Sequence, residues 1–120
     1  GNVFERFLTG DVTPTQTPGA TMSDPDLAAV RVLFEDKRFE TARDQLIELK
    51  RRSPEKAEYH YWLGLTQYEL KNYLEAIKDL NEAARLDDHL PGVYGHLARA
   101  YEAIGDRRKM EESLRRDRAK

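Results

Sequence analysis

Residues 57–90, AEYHYWLGLTQYELKNYLEAIKDLNEAARLDDHL, set a 34-residue pattern that the rest of the chain repeats. Shifted back by one period, residues 23–56 fall into register; shifted forward, residues 91–120 do so. Val30, Gly64 and Ala98 stand one period apart, as do Ala29, Leu63 and Leu97. The same holds for Leu46, Leu80 and Leu114, and for Ala42, Ala76 and Met110. Each unit reads as two amphipathic stretches around a short polar turn. A fixed period of this length means stacked supersecondary units, each hiding its apolar face on its neighbours.

Helix–turn–helix content with Leu63-Gly64, Ala76, Leu80 and Ala83 resembles the tetratricopeptide (TPR) repeat. Repeat one supplies Phe39, Ala42, Leu46 and Pro54 at matching positions; repeat three supplies Tyr94, Leu97, Ala98, Tyr101 and Gly105-Asp106. The resemblance runs from 23 to 120, as repeats 23–56, 57–90 and 91–120. It implies an all-α fold, an α-solenoid of three helix–turn–helix units wound as a right-handed superhelix with a concave groove. His60 stands where the family usually has Trp, Gln67 where it has Tyr, and Asp88 where it often has Pro.

At 120 residues the chain is one domain, 39% hydrophobic and 35% charged, as a thin and highly exposed helical array requires. Its net charge of −2 gives no overall cationic field for nucleic acid or an anionic membrane. No apolar run approaches the ~20 residues of a membrane-spanning helix. The absence of Cys excludes disulfides, thiolate metal sites and a Cys nucleophile, and fits a reducing, cytoplasmic setting.

Residues 1–21 differ from the repeats. Val3, Phe4, Phe7 and Leu8 fall on one face of a short helix over residues 2–9, with Asn2 as cap and Gly10 as stop. Such a helix is marginal alone and needs a surface to lie on. Residues 12–22 have the Thr, Pro and Gly content of a flexible linker. Gly1 has the look of a residue left by tag cleavage, and Met22-Ser23 that of a translation start. Residues 1–11 therefore read as a partner-derived peptide fused through a linker; a native extension and a poorly ordered tail are the other readings.

Along repeat one, Ser23 is expected to cap helix A at residues 24–35, with Pro25 in the first turn and Leu27, Ala28, Val30, Leu33 and Phe34 on its apolar face. Helix B is expected at 39–51, with Ala42, Leu46, Ile47 and Leu49 inward. Repeat two is expected to place helices at 54–70 and 73–86, with Gly64 and Ala83 letting them approach closely. Asp87-Asp88 is read as ending the repeat and, through its charge, favouring the next helix N-terminus. Repeat three is expected at 91–104 and from 107 onward, where only Met110 and Leu114 are apolar, as suits the end of a solenoid.

The resemblance also implies a binding surface, since helix A of each repeat lines the groove in this family. Carried onto this chain, the groove positions include Leu27, Arg31 and Phe34 from repeat one, Tyr61, Leu65 and Tyr68 from repeat two, and Gly92, Gly95 and Arg99 from repeat three. Trp62 falls beside that line. Gly92 and Gly95 remove side chains from one wall, and Arg31, Arg99, Glu35, Glu69 and Glu102 form a polar fringe. Aromatics with Arg at the rim are the composition of interface hot spots. The competing reading is that Tyr61, Trp62 and Tyr68 pack between helices of adjacent repeats. The positions that in some family members clamp an acidic chaperone tail are here Leu27, Arg31, Trp62, Gly92 and His96, and only Arg31 suits a carboxylate. The groove asks for an amphipathic helix instead, for which Val3, Phe4, Phe7 and Leu8 supply an example within the chain.

Nothing in the sequence points to catalysis, a cofactor or a metal. His60, His89 and His96 lack metal-ligand spacing, and Glu111-Glu112 reads as a solvated face. Lys50-Arg51-Arg52 and Arg115-Arg116 read as helix C-termini favoured by positive charge rather than as phosphate contacts. The chain reads as a non-enzymatic adaptor or scaffold that binds a short apolar peptide. The alternatives are a self-associating repeat, including a domain-swapped dimer, and a chaperone for a secretion or assembly subunit.

Overall fold

The structure is a computed structural model that describes residues 24–119, all of whose regular elements are helices. The amphipathic segment 2–9, the linker 12–22, Ser23 and Lys120 lie outside the described residues. Six helices follow in pairs: α1 Pro25–Glu35, α2 Phe39–Arg52, α3 Ala57–Glu69, α4 Tyr73–Leu86, α5 Val93–Ala103 and α6 Arg107–Ala119. Each packs on the next in sequence, and α3 also touches α5. This is the α-solenoid that the period requires.

The recurring apolar positions build the core. Val30, Leu46, Leu63, Leu80 and Leu97 are all at most 1% exposed. One buried cluster joins repeats one and two through Val30, Leu46, Leu49, Tyr59 and Leu63. The second joins repeats two and three through Ile77, Leu80, Val93, Tyr94 and Leu97. Gly64 permits the α3–α4 approach: a Cβ there would stand 2.6 Å from Leu80 Cγ and 3.2 Å from the Ala76 carbonyl oxygen. Every turn within a repeat passes through one left-handed residue, at Lys37 (φ 63°), Lys71 (φ 68°) and Gly105 (φ 82°), again one period apart.

Several boundaries differ from the sequence expectation. The N-cap of α1 is Asp24, not Ser23: its carboxylate accepts from the amides of Asp26 at 2.9 Å and Leu27 at 3.3 Å, with Pro25 in the first turn. Helix α3 begins at Ala57 rather than at Pro54, because a turn closed by Lys56 N to Ser53 O, 3.1 Å, uses the intervening residues. Helix α5 begins at Val93 rather than Pro91, because Gly92 is left-handed, φ 78°. Asp87 ends α4 and accepts the His89 amide at 3.0 Å. Ile47 points outward, 44% exposed, since Leu46 and Leu49 fill the inner stripe of α2.

The departures from the family pattern carry their own compensation. His60 is buried with Nε2 2.8 Å from the Pro54 carbonyl oxygen. Gln67 is buried, and its side-chain oxygen accepts from the Asn72 amide group at 2.8 Å. Lys50 reaches Asp79 at 3.3 Å, tying α2 to α4; burial raises the Asp79 pKa, and Lys50 acts against that rise.

Asp24 does more than cap. It also accepts the Tyr59 hydroxyl at 2.6 Å and faces Lys56 at 3.4 Å, so it joins α1 to α3. Burial opposes its ionisation, but the Tyr59 hydroxyl, the two amides and Lys56 outweigh it, and its pKa falls below the ordinary 3.8. Tyr59 is pushed up to about 12, by burial first and then by Asp24. A carboxylate depressed in the native state stabilises above its unfolded pKa, and that stability is lost as pH falls through the native value. Asp24→Asn keeps an acceptor at the cap and is expected to flatten the acid limb of stability below about pH 4. Asp24→Ala is expected to cost about 2 kcal/mol at neutral pH, through the lost cap and the orphaned Tyr59 hydroxyl. Urea titrations of the three proteins between pH 3 and 7 check both outcomes.

Candidate binding groove

The first helices of the repeats, α1, α3 and α5, carry a continuous row of aromatic rings. Phe34 on α1 meets Trp62 on α3 edge to face at 5.4 Å between ring centroids. Trp62 meets its neighbour Tyr61 at 6.2 Å, and Tyr61 meets His96 on α5 at 5.8 Å. Each pair is tilted by 71–81°, the T-shaped geometry that places a positive ring edge on a negative face. Phe39 extends the row at one end, 5.1 Å from Phe34. Tyr68, about two turns further along α3, meets Tyr73 at 5.4 Å.

The local sequence explains this placement. Along α3 the wholly buried residues Tyr59, His60, Leu63, Thr66 and Gln67 form one stripe, and Tyr61, Trp62, Leu65 and Tyr68 stand beside it, half-buried. Helix α3 is thus apolar on two faces, and only one of them is needed for the core. The inner edges of the second set do touch the core: Trp62 rests on the first cluster, and Tyr61, Leu65 and Tyr68 on the second. Their outer edges stay open. Packing between repeats therefore accounts for the inner edge of each ring, while the outer edge stays exposed.

Repeat one contributes Leu27 and Phe34, half-buried, and Arg31, exposed. Repeat three contributes exposed Gly92 and Arg99 and half-buried Gly95. The space at the two glycines is not empty. A Cβ on Gly92 would lie 3.6 Å from the Tyr61 hydroxyl, and one on Gly95 would lie 3.5 Å from Asp117 Oδ2. Tyr61 donates its hydroxyl to the Pro91 carbonyl oxygen at 3.0 Å, which fixes the ring across the α3–α5 boundary.

Of two further residues at this end, His96 was named from sequence only as a clamp position, and Asp117 was not singled out. His96 continues the row of rings, and Asp117 reaches Gly95 from α6. Burial lowers the His96 pKa first and Arg99 lowers it further, against Asp117 and Glu69. The imidazole is thus kept neutral near pH 7, in keeping with an apolar row. Burial alone raises the Tyr61 pKa. Four of the five positions that would form a carboxylate clamp are Leu27, Trp62, Gly92 and neutral His96, leaving Arg31 as their one fixed cation.

No set of three His, Cys, Asp or Glu side chains among the described residues could hold a metal ion. No helix among them is long and apolar enough to cross a membrane.

A family model described as tetratricopeptide repeat matches residues 27–91. The mouse protein named superkiller complex protein 3 is 33% identical over 105 residues; the match covers 78% of this chain and 7% of that protein. Among solved structures, PcrH in complex with the chaperone binding region of PopD superposes with a TM-score of 0.77 at 20% identity, over 86% of this chain and 77% of that one. The yeast Sti1 TPR2AB domain in its HSP90 complex superposes with a TM-score of 0.75 at 22% identity, over 86% and 39%. At these identities the two structures speak for the fold. The chain spans only a small part of its curated relative.

Proposed function

The chain belongs to the tetratricopeptide repeat family, and on that premise we propose that its row of aromatic rings seats an amphipathic helical peptide of a protein partner. The fold is that of a protein–protein interaction module, and its role here is that of an adaptor without catalytic activity. The observation that carries the finer reading is the half-open row Phe34, Trp62, Tyr61 and His96 across three helices. Rings held at fixed angles by their neighbours lose little freedom when a ligand covers them, which favours binding. Leu27, Leu65 and Tyr68 widen the apolar floor; Arg31 and Arg99 edge it, and at Gly92 and Gly95 the Tyr61 hydroxyl and Asp117 line the α5 side. At the five clamp positions an acidic tail finds one cation, Arg31, and otherwise meets apolar or neutral groups. An apolar helical face with spacing 1, 4 and 5 fits better.

Val3, Phe4, Phe7 and Leu8 have that spacing, and segment 2–9 is the occupant proposed for the groove, of its own chain or of a neighbour. Trp62 is the one tryptophan of the chain, so its emission reports directly on the groove. In the full chain, Phe4→Ala with Phe7→Ala is expected to shift Trp62 emission to the red as the ring becomes wetter, with the helical content of the repeats retained. Identical emission from the two proteins would remove segment 2–9 as the occupant.

A further inference from the structure

The two ends of the solenoid differ in what they leave uncovered. On α3 the residues at repeat positions 3, 7 and 10 are Tyr59, Leu63 and Thr66, at 4%, 1% and 0% exposure, held under α2. On α5 they are Val93, Leu97 and Ala100, at 1%, 1% and 0%, held under α4. On α1 the same positions are Pro25, Ala29 and Val32, all exposed, Val32 by 57%. Helix α1 thus carries the apolar face that its two counterparts bury, with no helix over it among the described residues.

The element that covers this face inside the molecule is always the second helix of the preceding repeat. Only α6 has that role unfilled within the described residues. Leu114 is one period after Leu80 and two after Leu46, and while those two are 0% exposed, Leu114 is only half-buried.

Charge completes the match. Helix α6 carries six basic and three acidic side chains, net +3. Helix α1 with its two caps carries four acidic side chains and one basic, net −3. Opposite charges also stand at the periodic equivalents of two residues in the α4–α5 cluster. Ala84 of α4 and Tyr94 of α5 share one buried cluster; one period after Ala84 stands Arg118, and two periods before Tyr94 stands Asp26, both exposed.

We propose that α6 of one copy docks on α1 of a second copy in the register of the internal α4–α5 contact, so that copies associate head to tail. The contact is heterologous, so it generates open chains rather than a closed dimer. It is small and rich in charge, so it is weak and falls with ionic strength. It uses neither the aromatic row nor segment 2–9, and so stands or falls apart from the peptide-binding reading.

Sedimentation velocity of the full chain across concentration tests it. At low salt the weight-average mass is expected to rise steadily with concentration, without a plateau at two copies, and to return to that of the monomer in molar salt. Val32→Lys, at an exposed site, sets a cation against the basic α6 and is expected to hold the protein at the monomer under the same conditions. Arg118→Glu is expected to do the same from the other end. A mixture of these two variants keeps one intact pair of faces and should form a two-chain species and nothing larger. A wild-type chain that stays monomeric, a plateau at a dimer, or assembly that ignores both substitutions would overturn the proposal. So would a monomer in which Val32→Lys moves the amide signals of residues 2–9, because the chain's own segment would then cover the face.

Discussion

Leu80→Ala is expected to cost about 2–5 kcal/mol and to lower the thermal midpoint by more than about 10 °C. Leu80 is wholly buried, it rests on the backbone of Gly64, and it belongs to the cluster that joins repeats two and three. The truncation removes buried apolar volume and leaves a cavity that cannot close, because the α3–α4 contact already runs through a glycine. The period adds an internal control. Leu46→Ala, one unit earlier and also 0% exposed, should cost a similar amount; Leu114→Ala, one unit later and half-buried, should cost well under half as much. Urea titrations of the three variants test this gradient. Equal losses at all three positions would mean that the end unit is packed as tightly as the middle one.

Trp62→Ala carries the largest expected effect on binding. The ring contacts Phe34 on one side and Tyr61 on the other, so its loss breaks the aromatic row at the centre. Central aromatic anchors of interfaces commonly account for about 2 kcal/mol or more on truncation. Affinity for a peptide bearing the Val3, Phe4, Phe7 and Leu8 face is expected to fall by roughly 30-fold or more. Calorimetry with the substituted chain measures this, and far-ultraviolet circular dichroism confirms that the helices persist. Arg99→Ala, at the exposed rim, should change affinity by less than about threefold.

The core was legible because two periods coincide at the same residues. Leu46, Leu63, Leu80 and Leu97 satisfy both the helical spacing and the 34-residue repeat, and all four are buried. Helix starts were less legible. Pro54 and Pro91 signal a permitted first turn, yet α3 and α5 begin later, after a turn at Lys56 and a left-handed Gly92. Proline states what a helix start tolerates and leaves the intervening turn undetermined. Ile47 misled because apolarity at one position does not choose between two sides of a helix already filled by Leu46 and Leu49.

The residues of the candidate groove divide in the same way. Phe34, Tyr61, Trp62 and Tyr68 stand half-buried where the repeat pattern puts them. The place of Asp117 depends on how α6 crosses α5, which no local pattern encodes. A signal was present for His96, since it lies one residue after the groove position Gly95, as Trp62 lies one after Tyr61. Asp117 stands one period after Ala83, a fully buried residue, so its charge marked the last unit as different.

The most direct test of the account adds a synthetic peptide spanning residues 1–12 to the full chain carrying Phe4→Ala and Phe7→Ala, while recording the amide NMR spectrum. The account predicts saturable shifts at Phe34, Tyr61, Trp62, Leu65 and His96, with the amides of the α2 outer face unmoved. Shifts confined to other surfaces, or none with the helices intact, would contradict a peptide seat on the aromatic row.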